Sequence, residues 1–174
     1  MIPGWFISLL TFPGVIFHEV AHRLSCDLTD VPVYKACYFR LGNPAGYVLH
    51  ASVVDFRKCL LISLAPLLLN TFLCCLLTFP AVVSISLLDT EYKGVYIFMA
   101  WVGYSAGMHA LPSDEDVINL VAITEKTNGK VAHYLIANVI EGLVNFANFM
   151  RRFWFDLFYA IAISWAAVGI LYLL

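Results

Sequence analysis

The segment with the clearest chemical content is His18-Glu19-Val20-Ala21-His22. On a helix, residues i and i+4 share a face. His18 and His22 therefore present two imidazoles side by side, able to grip one metal ion, with Glu19 next to them. An HExxH pattern on a helix supplies two zinc ligands and a general base. Zinc further requires a third protein ligand and one open position for water. Bound Zn2+ brings the pKa of that water towards about 7. Glu19 would take the water's proton and return it to the leaving amine after attack on a peptide carbonyl. The alternative is a chance motif. Against it stands the position of Glu19 and both histidines at the end of an apolar run, where a charged side chain costs about 2.5–3.5 kcal/mol at mid-bilayer.

The third ligand is expected from another helix end at a similar depth. Asp114-Glu115-Asp116 meets that condition. Which acid of this cluster would bind is left open by the residues alone. Ser113-x-x-Asp116 also reads as a capping box, with Ser113 as cap and Asp116 at N3. A cap and a ligand are not mutually exclusive. His109, one turn earlier, competes for the same role or stands behind the ligands as a supporting donor. Asn70 sits well inside an apolar segment, where an interhelical hydrogen bond is the reading from the residues.

Several elements must position these groups. The 174 residues are 61% hydrophobic and 13% charged, against roughly 45–50% and 25% in soluble domains. This points to one α-helical, polytopic membrane domain, residues 1–174. The net charge of -2 gives no nucleic-acid signal. Five cysteines without a CxxC pair argue against a disulfide framework, and the N-terminus lacks the features of a removable signal peptide. Four membrane spans are expected, over about residues 4–24, 58–88, 94–111 and 153–174. Pro13-Gly14 should kink the first just before the histidines. The second is longer than one crossing requires, with Pro66 and Pro80 as places to bend. The small residues Gly103, Ser105, Ala106 and Gly107 suit close helix packing in the third.

Between the first two spans, β-branched and aromatic stretches flank the turn formers Leu41 to Gly46, predicting a β-hairpin over 33–54. His50 and Asp55 nearby are read as surface residues more than as site residues. Amphipathic helices are expected over 114–126 and 131–150, separated by Thr127-Asn128-Gly129. The second carries a polar stripe at Asn138, Glu141, Asn145 and Asn148. With the N-terminus outside, nine of the ten Lys and Arg residues fall on the cytoplasmic side and only Lys93 outside. That is a positive-inside bias. It places the HExxH towards the cytoplasmic end of span one, in a multi-pass protein of the plasma (inner) membrane.

The order of these parts carries a resemblance. An HExxH span, a hairpin, a span with a buried Asn and a third span ending in an Asp resemble the site-2 protease class of intramembrane zinc metalloproteases, over roughly residues 1–125. The Ser113-x-x-Asp116 pattern is similar to a small zincin branch of that class. The resemblance implies Asp116 as the aspartate ligand, Asn70 as an oxyanion donor and the hairpin as the surface that holds an unwound client segment by strand addition. This chain departs from the class in two places. No glycine follows Pro112-Ser113-Asp114-Glu115-Asp116, which leaves Asp114 open, and Pro66 stands one residue further from Asn70 than in the usual Gly-Pro-x-x-Asn element. The expected function is intramembrane endoproteolysis of membrane-protein or peptide substrates, with the lipid bilayer as the other partner and no nucleic acid. The rival is a non-proteolytic, zincin-like metal sensor or client-binding protein. Metal transport ranks last, because polar residues along a path across the bilayer are scarce.

Overall fold

The computed structural model describes residues 4–87, 91–126, 131–151 and 153–173. The expected break at Thr127-Asn128-Gly129, and Lys130 and Arg152 of the charge count, lie outside the described residues.

The fold is mostly helical with one small antiparallel sheet. In chain order the elements are α1 (Gly4–Leu10), α2 (Phe12–Leu28), β1 (Val33–Cys37), β2 (Tyr47–His50), α3 (Phe56–Leu87), α4 (Lys93–Met108), α5 (Asp114–Lys126), α6 (Val131–Arg151) and α7 (Phe155–Leu173).

The first apolar stretch is not one gently kinked helix. α1 and α2 meet at 88°. Thr11 closes α1, with both its N–H and its hydroxyl on Ile7 O (2.9 and 2.7 Å). Pro13, in the first turn of α2, has no N–H to give back to α1. The break seats the HExxH in the middle of a fresh helix that runs on to Leu28, four residues beyond the expected end.

The hairpin forms with shorter strands than expected, in the register Val33↔His50, Lys35↔Leu49, Ala36↔Val48 and Cys37↔Tyr47 and with an irregularity at Tyr34. Beneath it, Cys26, Val31 and Ile62 form a buried cluster. Residues 51–55 leave the ladder, and Asp55 then caps α3. Its Oδ1 accepts from Arg57 N (2.7 Å) and Lys58 N (3.2 Å), and these bonds hold its carboxyl below the ordinary carboxylate range.

α3 continues for 32 residues with Pro66 and Pro80 both inside it. Its polarity is inverted relative to a soluble core helix. Ser63, Asn70 and Thr78 are buried, whereas Leu68, Phe72 and Leu76 are exposed. The same inversion recurs where α3 meets its neighbours. Thr71 Oγ1 and Tyr159 OH of α7 are 2.7 Å apart, and Ser164 of α7 is buried against Cys74. The expected close packing of the small residues is present. A Cβ on Gly103 would meet Thr78 Cγ2 at 2.7 Å, and one on Gly107 would meet Ala160 Cβ at 2.6 Å.

By length and composition, one helix among the described residues (Phe56–Ile85) can cross a membrane alone, and the bent pair α1–α2 makes two if counted as one span. α4, at 16 residues, rises only about 24 Å against a hydrocarbon core of about 30 Å. α7 runs for 19 residues, Phe155–Leu173, without meeting the same length and composition criterion over its described residues. Four full spans are thus not reproduced by helix length.

α5 and α6 pack as a pair against the start of α3, around Phe56, Cys59, Leu120 and Ala137. His133 of α6 stacks on Phe56 with ring centroids 4.3 Å apart. The polar stripe of α6 divides: Asn148 donates to Asp114 Oδ1 of α5, while Asn138 and Asn145 are exposed. All five cysteines are free thiols.

Candidate metal centre

His18, His22 and Asp116 each bring one ligand atom into a group whose members all lie within 4.8 Å of one another. α2 supplies the imidazoles and the first turn of α5 the carboxylate. His22 Nε2 is 3.2 Å from His18 Nε2 and 3.5 Å from Asp116 Oδ1. In a tetrahedral site with metal–ligand bonds of about 2.0–2.1 Å, neighbouring ligand atoms stand about 3.3–3.4 Å apart. The two separations from His22 bracket that value, and the third pair lies within 4.8 Å, so these three donors could hold a metal ion.

The protonation pattern strengthens the fit. His18 Nδ1 is 2.8 Å from His109 O, and His22 Nδ1 is 3.1 Å from Ile62 O. A carbonyl oxygen only accepts, so both Nδ1 atoms carry protons and donate. Neutral imidazoles then turn their Nε2 lone pairs toward each other and toward a carboxylate. Such a centre calls for a cation. Metal-binding histidines are oriented in this way, with the second ring nitrogen donating to a backbone carbonyl.

Both orienting carbonyls are ones their helices do not use. His109 caps the C-terminus of α4, where the last carbonyls have no intrahelical partner. Ile62 lies inside α3, where its oxygen would ordinarily accept from the N–H four residues on. That residue is Pro66, which has none. Pro66 is fully buried. It therefore does more than offer a bend: it leaves Ile62 O open for His22.

Asp116 divides its two oxygens between structure and site. Oδ2 accepts from Ser113 N (2.9 Å) and Ser113 Oγ (2.6 Å), and Asp116 N donates back to Ser113 Oγ (3.3 Å). This is the expected capping box. It leaves Oδ1 aimed at His22. Burial works against the charge on Asp116, but the adjacent His22 and the Ser113 hydrogen bonds outweigh it and hold the carboxyl below its ordinary range.

The rival ligands are engaged elsewhere. Asp114 turns to Asn148 of α6. His109 Nε2 is 2.8 Å from Thr11 Oγ1 at the α1–α2 break. His109 serves the centre through its backbone oxygen rather than its ring. Asn70 is fully buried, and its Nδ2 donates to His109 O (2.9 Å) and Gly14 O (3.2 Å), tying α3 to α2 and α4. His109 O thus accepts from both His18 and Asn70. Gly14 permits this junction, since a Cβ there would lie 1.9 Å from Ser105 O.

Glu19 is 8% exposed and lies under the hairpin loop. A Cβ on Gly46 would meet Glu19 Cγ at 2.6 Å and Oε1 at 2.9 Å. Gly46 was legible only as the last of a cluster of turn formers. Its use is to let the loop backbone rest directly on the Glu19 side chain. At the start of the loop the ring of Phe39 packs on Phe12, with centroids 5.8 Å apart. His50, its Nδ1 against Ala51 O, stays outside the centre.

Comparison with protein-family models, with curated proteins and with solved structures finds no match. The functional reading therefore rests on the geometry of the centre and its setting.

Proposed function

We propose that this protein is a membrane-embedded zinc endopeptidase of the site-2 protease type, cutting membrane-protein or peptide substrates in or near a transmembrane segment. The observation that carries the reading is the convergence of His18 Nε2, His22 Nε2 and Asp116 Oδ1, with each Nδ1 tied to an orphan carbonyl. Two His and one carboxylate leave a fourth position open, which is the ligand count of a catalytic rather than a structural zinc site.

Zinc held there supplies Lewis-acid polarisation of a carbonyl and a more acidic water. The remaining work falls to the chain. Glu19 takes the proton of the attacking water and delivers it to the leaving amine. Gly46 and the loop above it cover Glu19 and limit water around it. Asn70, expected as either an oxyanion donor or an interhelical hydrogen bond, has its amide hydrogens on His109 O and Gly14 O. Its role in this account is to hold the carbonyl that orients His18.

The membrane setting is supported by inverted polarity. Asn70, Thr78, Ser105 and Ser164 are buried, while Leu68, Phe72, Ile97, Phe98, Phe158 and Trp165 are exposed. In water that arrangement leaves apolar surface unsatisfied, whereas in lipid it places the polar side chains inside, where they pair. In this reading α4 and α7 cross with α2 and α3 as a four-span bundle, with the N-terminus outside and the centre towards the cytoplasm.

The test is cleavage of a membrane-anchored substrate by the zinc-loaded chain against Glu19→Gln. Loss of cleavage with zinc retained is expected. Unchanged cleavage would remove Glu19 as the base. Zinc bound without turnover of any substrate would favour the non-proteolytic reading.

A further inference from the structure

A 420 Å³ groove lies between the hairpin and α5. One wall is the continuous stretch Val48 to Val54, and the other is the α5 face formed by Glu115, Asn119, Ala122 and Ile123. Among the described residues no β1 residue lines it, and the sheet has two strands. It therefore opens along the edge of β2 that β1 leaves unpaired. Such an edge presents backbone N–H and C=O groups that an added extended chain can pair with.

Both walls begin at the metal centre. Gly46, which rests on Glu19, immediately precedes β2, and Glu115 immediately precedes Asp116. Glu115 is the one carboxylate in the lining, and the lining contains no lysine or arginine. It is exposed and, among the described residues, its carboxylate has no ion pair or hydrogen bond. Asn119 stands one turn further along the same helix face.

We propose that this groove takes an extended segment of the client polypeptide whose lysine or arginine side chain pairs with Glu115. The identity of that polypeptide as a client rests on the peptidase reading above. Two considerations fix the sign of the charge. A largely apolar groove with a single anionic group selects a cation. The cytoplasmic flanks of membrane segments carry an excess of Lys and Arg, so a segment leaving the bilayer beside the centre brings a basic side chain within a few residues of it. Strand pairing supplies most of the affinity. The exposed ion pair adds selectivity of about two- to fivefold.

The experiment uses the full chain in nanodiscs, carrying Glu19→Gln to stop turnover and a photo-crosslinker at Asn119. Three Thr/Val-rich peptides of equal length bear lysine, norleucine or glutamate at one central position. Saturable labelling in the order lysine, norleucine, glutamate is expected, with the order lost in Glu115→Gln and reversed in Glu115→Lys. Zinc content of each variant reports folding, and Glu115→Gln alone suffices if the charge reversal does not fold. Equal labelling by the three peptides, a lysine preference that survives Glu115→Gln, or no saturable labelling overturns the proposal. Cleavage is scored separately with Glu19 restored. Charge-selective binding without cleavage removes the peptidase reading and keeps the groove. Cleavage indifferent to the charge at position 115 keeps the peptidase and removes the groove.

Discussion

Pro66→Ala returns a backbone N–H to the middle of α3, four residues beyond Ile62. Ile62 O, now open to His22 Nδ1 at 3.1 Å, then faces an intrahelical donor as well. The two outcomes of this substitution have opposite signs. Removing a proline from a helix interior relieves up to about 3 kcal/mol of intrinsic penalty, and the restored backbone bond adds about 0.5–1.5 kcal/mol. The metal-free chain should therefore melt no lower than wild type. Zinc binding should weaken, because His22 loses sole use of the carbonyl that fixes its tautomer and ring angle. Loss of such an outer partner costs about 10–100-fold in metal affinity. Chelator competition measures the affinity, and thermal unfolding of the metal-free chain in the same detergent measures stability. Pro80→Ala, in the same helix, is the control: it changes the helix similarly without touching Ile62. The reasoning is refuted if Pro66→Ala binds zinc within twofold of wild type, or if Pro80→Ala weakens binding equally.

Asn70→Leu removes the two donors on His109 O and Gly14 O. Zinc affinity should fall by about tenfold, read by the same competition; cleavage lost with affinity intact would instead mark Asn70 as an oxyanion donor. Gly46→Ala drives a methyl group to 2.6 Å from Glu19 Cγ, so Glu19 must move. Since a misplacement of about 1 Å can cost on the order of 100-fold in rate, kcat should fall by about that factor while zinc content stays at the wild-type level. Loss of zinc together with activity would show instead that the loop supports the metal site itself.

The paired imidazoles were legible because HExxH has meaning on any helix, and the Asp114–Asp116 cluster because it opens a helix after Ser113; the choice of Asp116 within it came from the family resemblance. The hairpin was legible from alternating β-branched and aromatic residues around turn formers. What the sequence withheld was mostly orientation. Asp114 and Asp116 differ by two positions on a helix, about 200° of rotation, and only packing decides which one faces α2; Asn148 of α6 takes the other. His109 read as a ligand because a ring is visible in a sequence. Its backbone oxygen is not, since every residue has one. The right-angle break at Thr11, which draws the His109 ring away, appeared in sequence only as a proline and a glycine two and three residues later. Pro66 was legible as a bend. That it frees Ile62 O becomes visible only once His22 is seen beside it. Span lengths were the least legible feature, because apolar composition does not say where a helix ends: α4 stops at Met108, with Pro112 close behind, short of the expected 111.

Metal content and coordination test the central claim most directly. Elemental analysis with X-ray absorption at the zinc edge should find one zinc per chain, with two imidazole nitrogens and a carboxylate oxygen in its shell. His18→Ala, His22→Ala and Asp116→Ala should each lose it, while Asp114→Ala and His109→Gln, which spares the backbone carbonyl, should keep it. A chain that retains zinc without Asp116 but loses it without Asp114, or that never takes up stoichiometric zinc, would contradict the account.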